Sequence, residues 1–263
     1  MTTPSITPIT SRSNPLLVRL RKLASEPAAY RKFGEIWIEG EHLCAAYLAR
    51  GGHEARCVIG EAGWADPALR ALAGRCAAVH RVADELLRAA SGLESPAPIG
   101  FIVPWHGGGT AVHAGMPTVV LDRLQDAGNV GTILRSAAAF GFEQVVALAG
   151  TAALWSNKVV RAGMGAHFGL RLVEQAGPDA LEGLDVPLLA TSSHADDTIA
   201  HAELPWPCAW VFGHEGQGVS AELMRRCAQT LKIPQPGGEE SLNVAAAAAV
   251  CLYESARQRG TLP

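Results

Sequence analysis

Three times in the second half of the chain an apolar run ends in glycines and short polar side chains and then passes into a helical pattern. This repeated junction constrains the fold more than any other feature. Pro117 to Leu121 leads to Asn129-Val130-Gly131-Thr132-Ile133-Leu134-Arg135 and a helix over Gly131 to about Phe140. Cys208 to Phe212 leads to Gly213-His214-Glu215-Gly216-Gln217-Gly218-Val219 and a helix over Ser220 to Arg226. Thr230 to Ile233 leads to a tight loop of Pro234, Pro236, Gly237 and Gly238, residues that cannot extend a helix or a central strand. Ser241 and Asn243 follow, and Asn243 opens an alanine-rich helix to about Tyr253. Strand, turn and helix repeated in this way describe an α/β parallel sheet, because parallel neighbours need a crossover. Ligands collect at the carboxyl ends of such strands, where helix N-termini point free N–H groups outward. Three junctions therefore predict one site built from three loops. Taken singly, each also reads as a capped helix after a turn.

The same alternation predicts strands at Gln144–Ala149, Leu170–Val173 and Pro187–Thr191, with a helix over Asn157–Gly165. The first hundred residues alternate more tightly. Ser13-Asn14 caps a helix to about Ala24 with Leu16, Leu17, Leu20 and Leu23 on one face. Short strands are expected at Glu35–Ile38, Arg56–Ile59, Ala77–Val82 and Ile99–Pro104, and helices at Gly40–Arg50 and Asp66–Leu72. Ser91 to Pro98, with Ser, Gly and two prolines, reads as a linker, and His106 to Gly115 as a glycine-rich loop. Two α/β domains follow, 1–105 and 106–263.

Composition excludes several classes. At 263 residues, 48% apolar and 18% charged, the chain suits globular domains with their own cores. No apolar run is long enough to span a bilayer. Met1 to Asn14 is polar, unlike a secretory signal. Six scattered cysteines show neither zinc-knuckle nor disulfide spacing, and nine histidines show no ligand spacing, so no metal is expected. A cytoplasmic location with reduced thiols is expected. The net charge of −3 does not advertise a nucleic-acid binder, but residues 1–35 hold Arg12, Arg19, Arg21, Lys22, Arg31 and Lys32 against Glu26 and Glu35. Such a patch can neutralise phosphates, or it can be a solvated helix face. His106-Gly107-Gly108-Gly109 is similar to an esterase oxyanion loop, yet no Gly-x-Ser-x-Gly elbow accompanies it. Gly163-Met164-Gly165 lacks the third glycine of a dinucleotide fingerprint.

In order and spacing, the three junctions resemble motifs 1, 2 and 3 of the SpoU/TrmH family of RNA ribose 2′-O-methyltransferases, in the SPOUT superfamily, over about Met116 to Arg257. Ile9-Thr10-Ser11-Arg12-Ser13-Asn14-Pro15 and Trp37-Ile38-Glu39-Gly40-Glu41-His42-Leu43 resemble, more weakly, the substrate-binding domain often placed before it. The resemblance implies a C-terminal α/β domain threaded as a trefoil knot, a smaller N-terminal α/β RNA-binding domain, S-adenosyl-L-methionine as cofactor, and a homodimer through the C-terminal domain. Ribosomal RNA is the favoured substrate. Transfer RNA is the alternative, as is a non-catalytic RNA-binding protein on the same fold. A catalytic set of Asn129, Arg135, Glu215, Ser241 and Asn243 is implied. Arg135 stands beside the 2′-hydroxyl; because guanidinium stays protonated, it suits phosphate holding and alkoxide stabilisation better than proton removal. Asn129 orients it, or is a turn residue. Glu215 holds the loop, or caps the following helix. The implied cofactor residues are Thr191, Ser192, Gly213, Glu215, Gly218, Ile233, Gln235, Leu242 and Asn243. RNA contacts fall on Arg12, Asn14, Arg19, Arg21, Lys22, Arg31, Lys32 and Arg135. Two positions depart from the family pattern, Ala127 where proline is common and Gly163 where serine or alanine is.

Overall fold

The computed structural model describes residues 5–91, 93, 95–107, 109, 111–237 and 241–260. Met1–Pro4 of the polar start, Gly108 of the triple-glycine loop and Gly238 of the last junction lie outside them. The chain divides into two compact units, Met1–Gly107 with Trp155–Phe168, and Gly108–Leu154 with Gly169–Pro263. The division near residue 107 is therefore not a single cut, since one later segment groups with the first unit.

The first unit runs β1 (Ser5–Ile9), α1 (Pro15–Ser25), α2 (Ala29–Phe33), β2 (Glu35–Glu39), α3 (Glu41–Ala49), β3 (Arg56–Gly60), α4 (Glu61–Ala65), α5 (Pro67–Ala73), β4 (Ala78–Val82), α6 (Asp84–Ser91) and β5 (Ile99–Pro104). The strand order is β1-β4-β3-β5-β2. β1, β4 and β3 are parallel, while β5 runs antiparallel to β3 and β2. Asn14 caps α1 by accepting from the Leu16 N–H at 2.9 Å, and Leu17, Leu20 and Leu23 are buried. Strand β1 escapes a sequence reading because four of its five residues are exposed and one is proline, which an edge strand tolerates.

Ser91 to Pro98 is not a linker. Helix α6 runs to Ser91, whose Oγ donates to the buried Glu39 carboxylate at 2.6 Å. The Ala97 N–H donates to the same oxygen at 3.1 Å, and Gly60 N–H to the Pro98 carbonyl at 2.9 Å. Buried polar groups demand partners, and here Glu39 fastens Ser91 and Ala97 into the first unit.

The chain continues with β6 (Thr118–Asp122), α7 (Ala127–Ala139), β7 (Gln144–Leu148), α8 (Asn157–Gly163), β8 (Arg171–Ala176), β9 (Leu188–Thr191), β10 (Ala209–Gly213), α9 (Ala221–Arg226), β11 (Gln229–Leu231) and α10 (Val244–Gln258). The second sheet has the order β11-β9-β10-β6-β7-β8, with all neighbouring strands parallel among the described residues. Every residue of β6, β7 and β10 is buried, as expected for parallel strands covered on both faces. Helix α8 belongs with the first unit, where it packs on β2 and α1.

Helix α10 extends five residues beyond the expected Tyr253. It buries Ala245, Ala248, Cys251, Leu252, Ser255 and Ala256 within its own chain, and Trp210 Nε1 donates to Ser255 Oγ at 2.9 Å. It is not covered on all sides, because Val250 and Tyr253 stay 41% and 46% exposed. All six cysteines are free thiols. Burial pushes Cys208 up to about 12 and Cys227 up to about 11.

Candidate active site

Strand β6 ends at Asp122, and the N-cap Asp126 opens α7 by accepting from the Asn129 N–H at 2.7 Å. Asn129 therefore lies inside the first turn of α7 and not in a turn before the helix. Strand β10 ends at Gly213. A Cβ there would collide with the backbone of Gly218 and Val219, so the loop folds back on itself only because this residue is glycine. His214 and Gly218 exchange two backbone hydrogen bonds at 3.1 and 2.8 Å. The third junction reaches α10 through Asn243, whose Oδ1 accepts from the Ala245 and Ala246 N–H groups at 2.9 and 3.3 Å.

Side chains from all three junctions meet. Glu215 accepts from the backbone N–H groups of Gln125 at 3.2 Å and Asp126 at 3.0 Å, and from Asn129 Nδ2 at 3.3 Å. Asn129 Oδ1 in turn accepts from Asn243 Nδ2 at 3.0 Å. Partial burial pushes the Glu215 carboxyl up, but the N–H donors around it outweigh burial and hold it below the usual carboxylate range. Its oxygens hold the Gln125 and Asp126 N–H groups and the Asn129 amide, so Glu215 fastens the 214–219 loop to the start of α7. His214 is engaged as well. Its Nδ1 accepts from the Gly216 and Gln217 N–H groups at 3.0 and 3.3 Å, which places the proton of the neutral ring on Nε2.

Beside this chain of hydrogen bonds lies a cavity of about 730 Å³. It is lined by the ends of β9 and β10, the 214–219 loop and the start of α10, and is mixed in character. Thr191, Ser192 and Ser241 bring hydroxyls; Val211, Leu242 and Ala247 bring apolar surface. Gly213, Glu215, Gly218 and Asn243 line it as well. Ile233 and Gln235, expected among its residues, do not. They follow β11 outside the lining, although Gln235 Oε1 is buried without a hydrogen-bond partner among the described residues.

Arg135 is exposed on α7 and makes no hydrogen bond or ion pair among the described residues. It stands six residues beyond Asn129, roughly 9 Å along the helix axis. The basic residues of the first unit differ in availability. Arg12, Lys22 and Lys32 are exposed, and Arg31 is exposed with its guanidinium over the Tyr30 ring at 5.2 Å. Arg19 pairs with Glu35 at 3.1 Å, a carboxylate it shares with Arg56. Arg21 donates to the Arg12 carbonyl at 3.2 Å, and the Asn14 side chain is occupied as a cap.

Asp122, Arg123 and Ser220 join the site although the sequence analysis did not single them out. Asp122 is 3% exposed and accepts from the Ser220 N–H at 2.7 Å and from Arg123 Nε at 2.9 Å. Desolvation would raise its pKa, but Arg123 and the Ser220 N–H outweigh it and lower the value. Arg123 takes a left-handed φ of 60° and donates from Nη1 to Gln217 Oε1 at 3.2 Å. A charged pair closing a strand of a parallel sheet is the one clue the sequence held.

Residues 116–253 match the SpoU rRNA methylase family. An uncharacterized tRNA/rRNA methyltransferase of Synechocystis is 34% identical over 98% of this chain and 96% of its own length. The 23S rRNA guanosine 2′-O-methyltransferase RlmP of Bacillus subtilis is 36% identical over 51% of this chain and 56% of its own length, so that match spans about half of each. The crystal structure of an AdoMet-bound rRNA methyltransferase from Sinorhizobium meliloti superposes with a TM-score of 0.84 at 25% identity, covering 97% of this chain and 98% of that one. With a matched family domain over half its length and a relative aligned nearly end to end, the chain belongs to the SpoU rRNA methylase family.

Proposed function

We propose that this chain transfers a methyl group from S-adenosyl-L-methionine to a ribose 2′-hydroxyl of ribosomal RNA. The observation that carries this reading is the hydrogen-bonded chain Glu215–Asn129–Asn243, which locks three strand-end loops around one cavity. The names of similar proteins agree with it, since RlmP is a 23S rRNA 2′-O-methyltransferase and the Sinorhizobium enzyme is AdoMet-bound. The cavity suits such a cofactor in size and in its mixture of hydroxyls, backbone groups and apolar surface. Thr191, Ser192, Gly213, Gly218, Leu242 and Asn243 would hold it. When bound, it supplies an electrophilic sulfonium methyl.

The residues of the chain supply alignment and charge. Holding the acceptor oxygen in line is worth several kcal/mol by order of magnitude, on the order of 7 or more in favourable cases. Arg135, exposed and uncommitted, takes the target phosphate and stabilises the developing alkoxide. Ser241 reaches the acceptor ribose. Asn129 joins Arg135's helix to the cofactor loops. The first unit presents Arg12, Arg21, Lys22, Arg31 and Lys32 to the RNA; Arg19 and Asn14 act mainly through structure.

The finer points of the reading are proposals on the same footing. The C-terminal domain, 106–263, is threaded as a trefoil knot. It pairs with a second copy through α10, supported by the exposed Val250 and Tyr253. The protein works in the cytoplasm and uses no metal. Among the described residues no helix is long and apolar enough to cross a membrane, and no group of three His, Cys, Asp or Glu residues could hold a metal ion.

Mapping 2′-O-methyl positions on total RNA, from cells with and without the gene, tests this function. One ribosomal nucleotide should lose its methyl group. A change confined to transfer RNA would reassign the substrate, and an unchanged map together with no calorimetric binding of S-adenosylmethionine would refute the enzyme.

A further inference from the structure

A second concavity, of about 720 Å³, shares lining residues of the 214–220 loop with the cofactor cavity. Gln217, Val219 and Met224 line both, so the loop and the following helix α9 border the two cavities together. The polar lining of this trough is Arg123, Gln217, Ser220 and Arg225.

Arg123 is held rigidly. Its left-handed backbone turns the side chain over the neighbouring Asp122 carboxylate, where Nε donates at 2.9 Å and Nη2 at 3.3 Å. Nη1 donates to Gln217 at 3.2 Å, and the backbone N–H donates to Thr151 Oγ1 at 3.1 Å. A guanidinium has five N–H groups, so three engaged leave two free. Arg225 closes the other side. It is exposed and makes no hydrogen bond or ion pair among the described residues, whereas the adjacent Arg226 is spent on the Pro178 carbonyl at 2.9 Å. Asp122 offsets the charge of Arg123 and Glu222 does not line the trough, so Arg225 leaves it one net positive charge.

We propose that this trough binds a phosphodiester of the RNA substrate, placing the strand across the loop that walls the cofactor cavity. The inference rests on the RNA methyltransferase reading. Two guanidiniums, one pre-oriented and one free, match the oxygens of a phosphate. An amide and a hydroxyl between them reach the sugar edge, and Val219 and Met224 offer apolar surface to it. The contact carries no base information, so it sets position along the strand and not sequence.

The test measures equilibrium binding of a 23S rRNA transcript to the full chain, without cofactor, across a potassium chloride series. Arg225→Ala should weaken binding several-fold and reduce the slope of log affinity against log salt by roughly 0.7–0.9, the value for one lost phosphate contact. Arg225→Lys should restore the slope. Melting temperature and S-adenosylmethionine affinity should stay at parental values, which separates this effect from misfolding. Arg123→Lys, which keeps charge but loses the fork on Asp122, should lower the melting temperature as well. Parental affinity and slope in Arg225→Ala would overturn the assignment. So would inorganic phosphate competing with RNA no differently in Arg225→Ala than in the parent, yet beyond chloride of equal ionic strength; that would mark a free-anion site elsewhere. Because binding is read without methyl transfer, a catalytically silent parent would count against the enzyme reading alone.

Discussion

Asn243 donates its side-chain amide to Asn129 Oδ1 across 3.0 Å while its own Oδ1 caps α10. One side chain thus starts the last helix and ties it to the first turn of α7. Asn243→Ala should lose both, costing about 1 kcal/mol from the cap alone. Asn243→Asp keeps the cap but cannot donate to Asn129. Thermal melts should place the Asp variant between parent and Ala, whereas calorimetric titration with S-adenosylmethionine should show both variants weakened.

Arg135 should separate catalysis from binding. It is exposed and forms no intramolecular bond among the described residues. Arg135→Ala should therefore leave stability within about 0.5 kcal/mol and cofactor affinity unchanged, yet abolish methyl transfer. An isotope-transfer assay beside calorimetry checks this, and equal loss of cofactor affinity would refute it.

Acid should remove the stabilisation that two carboxylates of the site supply. Asp122 and Glu215 both have folded-state values below their ordinary ones. With the folded value depressed, the unfolded chain binds protons first as pH falls. Their stabilisation is complete above the unfolded value of about 4 and is lost as pH drops through the lower folded values. The melting temperature should be level down to about pH 5 and fall below about pH 4. Asp122→Asn should start lower and show a shallower acid decline, read by scanning calorimetry.

The dimer proposal depends on which face of α10 is tested. Ala248 is fully buried within the chain, so Ala248→Glu should unfold the unit instead of splitting a pair. Val250→Glu, on the exposed stripe with Tyr253, should leave the fold intact and yield monomers in sedimentation. A parental chain already monomeric at micromolar concentration would end the proposal.

A chain beginning at Gly115 should not behave as a clean domain. It would keep α8 but remove β2 and α1, on which α8 packs. Val159 and Val160, fully buried in the intact protein, would meet water. Hydrogen exchange should show α8 unprotected, and gel filtration should show association.

The helices and strands of the second unit, and the convergence of three strand-end loops, were legible in the residues themselves, while the resemblance singled out Asn129, Glu215 and Asn243 on those loops. Glycines, prolines and helix formers act over a few positions, and three strand-end loops in a parallel sheet must open on one edge. The sequence could not say that Glu215 would spend its carboxylate on Gln125 and Asp126, or that Ile233 and Gln235 would fall outside the cavity. It read Ser91–Pro98 as a linker because serine, glycine and proline look alike in a linker and in a fastened connection; Glu39, more than fifty residues earlier, decides between them. Asp122 and Ser220 are 98 positions apart and meet only because β10 lies beside β6. Local spacing sets which elements form, whereas strand order sets which distant charges become neighbours, and the contact of Asp122 with the Ser220 N–H exists only at that second level.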